Sequence, residues 1–384
     1  MKRRNFLAGA AAIGGAALLG TPELPAQPAQ ERQPRRFKYK KPIIDAHVHW
    51  YPPELAELIE KEGAAHGVTN IHRNAKNEVV ATEPGSHPYI NNTMAFRHEM
   101  TDVDIVIKQM DERGVDMSTL TQTNPHVVWA DAEFGIKMAQ VINNATSAVC
   151  AKYPKRFTAA ITLPVQDVSA SVAELERCKN MPGMRAANMP ESLLGKNLGD
   201  RSFWPIYEKC QALNLPIFLH NVDPVSERLL EPNLNMMNIL GNPFEATIAA
   251  TSLMLDGVLD EFPKLDVFFP HAGGFFAFLT PRIDFALAHA TNVFQVGSAT
   301  FKPPKLPRAT DYRRRYYYDL ILHDPGIQRM LIDLVGIERV VCGTDFPQAM
   351  AIMKPVDYVE RIPGITQREA ETILCDNPAR LLRL

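Results

Sequence analysis

A chain of 384 residues, 46% of them hydrophobic, can bury a large core, and its length admits either two domains or one α/β barrel with insertions. The formal net charge of −2, with acidic and basic residues interspersed, leaves no basic stripe and argues against a nucleic-acid partner. No run of about 18 apolar residues free of glycine occurs, which argues against a spanning helix.

Residues 1–29 differ in character from the rest of the chain. "MKRRNFLAGAAAIGGAALLG" joins a basic head (Lys2, Arg3, Arg4) to a weakly apolar Ala/Gly/Leu stretch, and "TPELPAQPAQ" offers small residues for cleavage near Ala26 or Ala29. The pattern is that of a secretory signal peptide. Arg3-Arg4 ahead of Asn5-Phe6-Leu7 resembles the twin-arginine type, which sends a folded protein to the periplasm or otherwise out of the cytoplasm. A disordered or membrane-anchoring tail is the alternative reading. Once the signal is removed no membrane span is expected. Residues 30–41 read as a linker. The five cysteines, Cys150, Cys178, Cys210, Cys342 and Cys375, are odd in number, scattered and without a CxxC, so they read neither as a disulfide framework nor as a zinc site.

From residue 42 to 384 short apolar or β-branched runs alternate with longer amphipathic stretches. Strands are expected at 43–48, 115–121, 157–163, 184–189, 216–220, 266–270, 316–321 and 339–343, with helical patterns between them such as "DVDIVIKQMDERG" and "PGIQRMLIDLVG". Eight strands alternating with eight helices predict a (β/α)8 TIM barrel rather than an open sheet. Residues 50–100 form an insertion after the first strand, too long for an ordinary βα loop, and read as a lid over the substrate or as a surface loop. Residues 291–314, with Pro303, Pro304 and Pro307, read as an irregular connection, a candidate subunit contact.

"IIDAHVH" (43–49) places two imidazoles in an otherwise buried strand. Strict alternation puts Asp45, His47 and His49 on one face and Ile44, Ala46 and Val48 on the other. His47 and His49, roughly 7 Å apart at Cα, then sit at the C-terminal end of strand 1, where barrel active sites lie. His220 closes "LPIFLH", His271 closes "LDVFFPH" and Asp345 closes "RVVCGTD" at the same end of other strands. A single such residue is adequately explained as a cap, a turn or a core histidine. Four histidines and one aspartate at one rim point instead to a divalent metal centre: zinc first, with manganese and iron as alternatives.

The chain resembles the amidohydrolase-related family that contains aminocarboxymuconate-semialdehyde decarboxylase. The resemblance is carried by "DAHVH", "MDERGVD", "YPKRFTAAITLP", "LPIFLH", "GNPFEATIAATSLMLDGVLDEFPKLDVFFPHAGGFFAFLTPRID", "YYYDLILHDP" and "VVCGTDFP", in the family's order across most of 42–384. It implies His47, His49, His220 and Asp345 as metal ligands and His271 as the catalytic histidine. Strand 4, "GMRAANMP", lacks the lysine of binuclear relatives, which implies one ion. Arg282, eleven residues after His271, matches a decarboxylase arginine that crosses a homodimer interface to grip a substrate carboxylate; a salt bridge with Asp284 is its structural alternative. At the position of a second substrate arginine this chain has Met94, with Arg97 close by. His323-Asp324 also matches, as groups that orient others around the substrate, or with Asp324 as a helix cap.

The function implied is metal-dependent, non-oxidative decarboxylation of a small unsaturated or aromatic carboxylic acid. In that reading the metal and Arg282 hold the acid and His271 manages the proton. The same centre also suits a hydrolase in which His271 or Asp345 handles the proton, and export counts for that rival. An exported metal- or solute-binding protein without catalysis is the third reading, disfavoured by the intact His271 position.

Overall fold

β1 (Ile44–His49) opens the computed structural model, which describes residues 36–84, 93–124, 126–193, 195–222, 236–289 and 304–384. The signal segment and residues 30–35 of the linker lie outside the described residues, as do 85–92 of the insertion and 291–303 of the later connection. After β1 come α1 (Pro53–Glu62), an antiparallel sheet of β2 (Thr69–Arg73), β3 (Val79–Thr82) and β4 (Thr93–Ala95), and the single turn α2 (His98–Thr101). Alternation then resumes with α3 (Val103–Arg113), β5 (Met117–Thr121), α4 (Ala132–Lys152), β6 (Phe157–Thr162), α5 (Val168–Cys178) and β7 (Met184–Pro190). A small hairpin, β8 (Ser192–Leu193) and β9 (Lys196–Asn197), leads to α6 (Trp204–Ala212), β10 (Ile217–His220), α7 (Asn242–Leu255), α8 (Val258–Glu261) and β11 (Val267–Phe269). The chain finishes with α9 (Phe276–His289), β12 (Tyr316–Tyr318), α10 (Pro325–Val335), α11 (Pro355–Glu360), α12 (Gln367–Glu371) and α13 (Asn377–Leu381). Aspartates start four of the helices: Asp102, Asp131, Asp167 and Asp324 each accept backbone N–H bonds in the first turn of α3, α4, α5 and α10.

The barrel sheet is parallel, in the order β1-β5-β6-β7-β10-β11-β12. The expected eighth strand at 339–343 is an extended segment rather than a ladder. It closes the circle through the bridges Tyr318↔Val340 and Val48↔Phe346 and through Val341 N–H to Tyr318 O, Ala46 N–H to Cys342 O and Asp345 N–H to His47 O, each 2.9 Å. The ladder is interrupted because Cys342 N–H is diverted to Ile373 O, 3.0 Å, in the C-terminal helices. Gly343 permits the closure, since a Cβ there would come within 2.9 Å of the His47 Cβ and 2.8 Å of the Asp319 Cβ.

Strict alternation along β1 does not hold. The β1–β5 register shifts between Asp45 and Val48, so two residues, Ala46 and His47, stand opposite Thr119 alone, which is a β-bulge. Before the bulge, Ile44 and Ala46 pack with Ala160, Ala186, Phe218, Phe268, Tyr317 and Val341, one contribution from nearly every barrel strand, and this cluster is the floor of the barrel interior. Asp45 is thereby turned outward to Arg113 and Thr344. The extra residue then brings His47 and His49 inward. The insertion is a folded unit: Tyr51, Leu55, Ile59, Val79, Met94 and Phe96 bury themselves against Phe134, Met138 and Ile142 of α4.

Candidate metal centre and active site

His47, His49, His220 and Asp345 meet at the C-terminal mouth of the barrel. One ligand atom from each lies within 4.8 Å of all the others, and all four residues are buried. Asp345 Oδ1 is 2.7 Å from His49 Nε2, 3.4 Å from His47 Nε2 and 3.9 Å from His220 Nε2. His271 completes the ring, its Nε2 3.9 Å from Asp345 Oδ2 and its ring centroid 5.2 Å from that of His220. The structure therefore brings together all five residues that the sequence placed at the strand ends.

The far side of each ligand imidazole is fixed. His47 Nδ1 donates to Asp319 Oδ2 at 2.9 Å, and His220 Nδ1 to the Asn221 carbonyl at 2.9 Å, with Thr123 Oγ1 also at 2.9 Å. Thr121 Oγ1 sends its hydrogen to Val48 O, 3.0 Å, which leaves its lone pairs for His49 Nδ1 at 3.4 Å. With every proton on Nδ1, the three Nε2 lone pairs point at one place. His47 Nε2 and His220 Nε2 are buried and have no hydrogen-bond partner among the described residues. Three neutral imidazoles and one carboxylate fit a single divalent ion, and no other such group occurs among the described residues. Burial pushes His49 and His220 down to about 4, so both are neutral ligands at neutral pH. Burial also raises Asp345, but His220, His271 and His49 hold it well below the usual carboxylate range, so it is ionised.

His271 and Ala272 both take left-handed backbone conformations, φ 52° and 58°, which cost energy in residues with a Cβ. Asp319 compensates, accepting the N–H of His271 at 3.1 Å and of Ala272 at 2.8 Å. Gly274 follows at φ 61°, where a Cβ would strike the Pro243 carbonyl. Burial lowers the His271 imidazole, yet Asp345, Asp319 and Glu191 outweigh it and leave its pKa raised. Asp319 thus ties a ligand histidine to the turn that presents His271. Sequence reasoning does not single it out, although it stands in "YYYDLILHDP", the first carboxylate after three strand tyrosines. Three other buried polar residues also escape it: His126, Asn188 and Glu191, the last held up to about 8 by burial.

The remaining candidates stand farther out. Arg97, half-buried at the start of α2, points Nη2 at Pro347 O, 3.4 Å, two residues from Asp345. His323 is exposed at the rim, five residues beyond the end of β12; its N–H donates to the Tyr358 hydroxyl, and its imidazole, lowered by burial, feels the charges of Asp319 and Asp345. Asp324 caps α10 through Ile327 N–H, 2.9 Å. Arg282 is exposed on α9 and makes no hydrogen bond or ion pair among the described residues. The expected Asp284 salt bridge does not form, because Asp284 is occupied by the N–H groups of Ala309 and Thr310.

A sequence model of the amidohydrolase family matches residues 44–384. The chain belongs to that family. It is 29% identical to a 2-amino-3-carboxymuconate-6-semialdehyde decarboxylase of Dictyostelium discoideum, over 89% of this chain and 91% of the relative. It is 28% identical to a gamma-resorcylate decarboxylase of a Rhizobium species, over 66% of this chain and 79% of the relative. Among solved structures, the fold matches 5-carboxyvanillate decarboxylase of Novosphingobium aromaticivorans, crystallised with manganese and 4-hydroxy-3-methoxy-5-nitrobenzoic acid, with a TM-score of 0.72 at 17% identity, covering 90% of this chain and 97% of that one. No helix among the described residues of this amidohydrolase is long and apolar enough to cross a membrane.

Proposed function

We propose that this amidohydrolase-family enzyme is a mononuclear, metal-dependent, non-oxidative decarboxylase of a small unsaturated or aromatic carboxylic acid. The observation that carries the reading is His271: a buried imidazole beside the ligand cluster, with neither ring nitrogen hydrogen-bonded among the described residues. The decarboxylase relatives support it. His47, His49, His220 and Asp345 would hold a divalent ion, which would supply positive charge to stabilise the negative charge of the acid. Zinc is the ion we propose, with manganese and iron as alternatives. As the bond to the carboxylate carbon breaks, its electron pair stays on the substrate and CO2 leaves. His271, which Asp345, Asp319 and Glu191 bias toward the protonated form, delivers the proton to the substrate carbon that keeps the electron pair. Asp319 holds His271 and His47 in fixed relation throughout. Arg97, near the end of the folded insertion that we propose as a lid, and His323, exposed beyond β12, are the further substrate-binding residues we propose. Arg282, exposed and without a partner among the described residues, serves the neighbouring subunit of a homodimer by pairing with a substrate carboxylate.

The test is CO2 release by metal-loaded protein from a panel of aromatic and unsaturated acids, with an ester, lactone and amide panel beside it. In deuterated water the product should carry deuterium at the carbon that lost CO2. His271→Ala should retain about one ion per chain and lose turnover. Hydrolysis of the second panel without CO2 release overturns the reading in favour of a hydrolase; bound metal with no turnover on either favours a binding protein. We also propose export through the twin-arginine-type segment. Arg3→Lys with Arg4→Lys should leave the precursor in the cytoplasm, and unchanged export in that double variant removes the proposal.

A further inference from the structure

Four buried residues from three elements converge on the backbone that carries Asp345: Asp45 of β1, Arg113 at the end of α3, and Thr344 and Phe346 on either side of the ligand itself. Four donors fill the two oxygens of Asp45, the full complement of an ionised carboxylate. Oδ1 accepts Thr344 N–H at 3.0 Å and His47 N–H at 3.3 Å; Oδ2 accepts Thr344 Oγ1 at 2.6 Å and Arg113 Nη1 at 3.2 Å. With its hydrogen given to Asp45, Thr344 Oγ1 in turn accepts Arg113 Nη1 at 3.1 Å and Phe346 N–H at 3.3 Å. The Arg113 guanidinium lies 3.9 Å from the centre of the Phe346 ring. His47 O receives Asp345 N–H at 2.9 Å, so one carboxylate ties together the backbones of two metal ligands.

Asp345 needs that support. Its backbone is left-handed, φ 61°, a conformation that costs energy in a residue with a Cβ and persists only where the surroundings impose it. In that conformation its Oδ1 lies 2.7 Å from His49 Nε2 and 3.4 Å from His47 Nε2. Closure of the barrel does not by itself account for the assembly. Only Nη1 of Arg113 is hydrogen-bonded, while Nε and Nη2 are buried with no partner among the described residues, a costly way to join two elements. We infer that Asp45, Arg113 and Thr344 are positioning residues: they hold Asp345 in its ligand pose through the backbone and thereby set the affinity of the centre for its ion. None of the three bonds a ligand side chain among the described residues, so the effect travels through the peptide groups on both sides of Asp345. The inference rests on the metal centre described above.

Zinc affinity of the metal-free chain, read by chelator competition on protein shown to be folded by circular dichroism, tests this apart from turnover and from stability. Thr344→Val removes the hydroxyl that joins Asp45, Arg113 and Phe346 at constant size, and Thr344→Ser retains it. Thr344→Val should bind zinc about 10- to 100-fold more weakly than wild type, the usual effect of losing support behind a metal ligand, and Thr344→Ser within about threefold of wild type. The visible spectrum of cobalt-loaded protein, which follows ligand geometry, should change in Thr344→Val and match wild type in Thr344→Ser. Arg113→Met with Asp45→Asn removes both charges of the buried pair together and should recover part of the stability that Arg113→Met loses. Its zinc affinity should nonetheless stay at least about tenfold below wild type. A folded double variant, or a folded Thr344→Val, with the zinc affinity of wild type shows the assembly to be structural only and overturns the inference. If the double variant does not fold, the Thr344 pair decides. A wild-type chain that binds no divalent ion defeats the metal centre and this inference with it; variants that match an ion-binding wild type defeat the positioning role alone.

Discussion

Asp319 and Asp324 stand five residues apart in one stretch of sequence and do different work. Asp319 is fully buried and bonds His47, His271 and Ala272; Asp324 is exposed and caps a helix. The histidine beside Asp324 makes that pair the more conspicuous in sequence, and the early end of β12 at Tyr318 is what gives Asp319 its place. Asp319→Ala should weaken metal affinity by about 10- to 100-fold in a chelator competition, the usual effect of losing the partner of a ligand histidine. Asp324→Ala should leave metal affinity unchanged and cost about 1 kcal/mol of stability. Equal metal affinity in both variants would contradict the assignment. Burial also sets a pH dependence. It pushes His49, His126 and His220 down to about 4, whereas in the unfolded chain each titrates near 6.5. Between those values the unfolded chain binds more protons, so their contribution is present above about pH 6.5 and is lost as pH falls toward 4. At the site His271 and Glu191, both with raised pKa, oppose the trend and are outnumbered. The melting temperature of metal-free protein should therefore drop between about pH 7 and pH 5; a flat or rising profile would show that these imidazoles are not held neutral.

The bulge in β1 shows where reading by element stops. The sequence carries the polar strand ends, and from them the meeting of His47, His49, His220, His271 and Asp345 was legible. It carries no mark of the extra residue, because a bulge keeps the same residue types and changes only the facing. Asp45 therefore looks like a companion of the two histidines and is instead the anchor behind them. Its oxygens accept Thr344 N–H at 3.0 Å and Thr344 Oγ1 at 2.6 Å, and Arg113 Nη1 pairs with it at 3.2 Å. The Arg113 guanidinium also lies 3.9 Å from the Phe346 ring centre, so α3 clamps both neighbours of Asp345. Arg113→Met removes one partner of a buried pair and should cost about 3–5 kcal/mol in denaturant unfolding, much of it from the stranded Asp45 carboxylate. Adding Asp45→Asn should recover part of that loss. A single variant as stable as wild type would mean the pair contributes nothing to closure between β1 and the 340–346 segment.

At the scale of the whole molecule the proposed homodimer rests on α9. Arg282 is exposed there without a partner among the described residues of its own chain, and Phe285, one turn on, is 66% exposed. The sequence could offer Asp284 as a partner for Arg282, since proximity along a helix is all it displays; the fold commits Asp284 to the Ala309–Thr310 turn and leaves the arginine over. If Arg282 crosses to a neighbour, Arg282→Ala should keep its metal and lose a few kcal/mol in kcat/KM, because a charge-assisted pair to the substrate carboxylate is gone. Mixing these chains with His271→Ala chains then makes a specific demand. In each mixed dimer one site has His271 from its own chain and Arg282 from the other, and the opposite site has neither. Equal mixing with free exchange puts half the dimers in that form, so activity should return to about a quarter of the wild-type value. No return of activity, with subunit exchange verified, would show that Arg282 serves its own chain or none. Full activity in Arg282→Ala alone would remove the carboxylate clamp and leave Arg97, near Asp345, as the arginine for the acid.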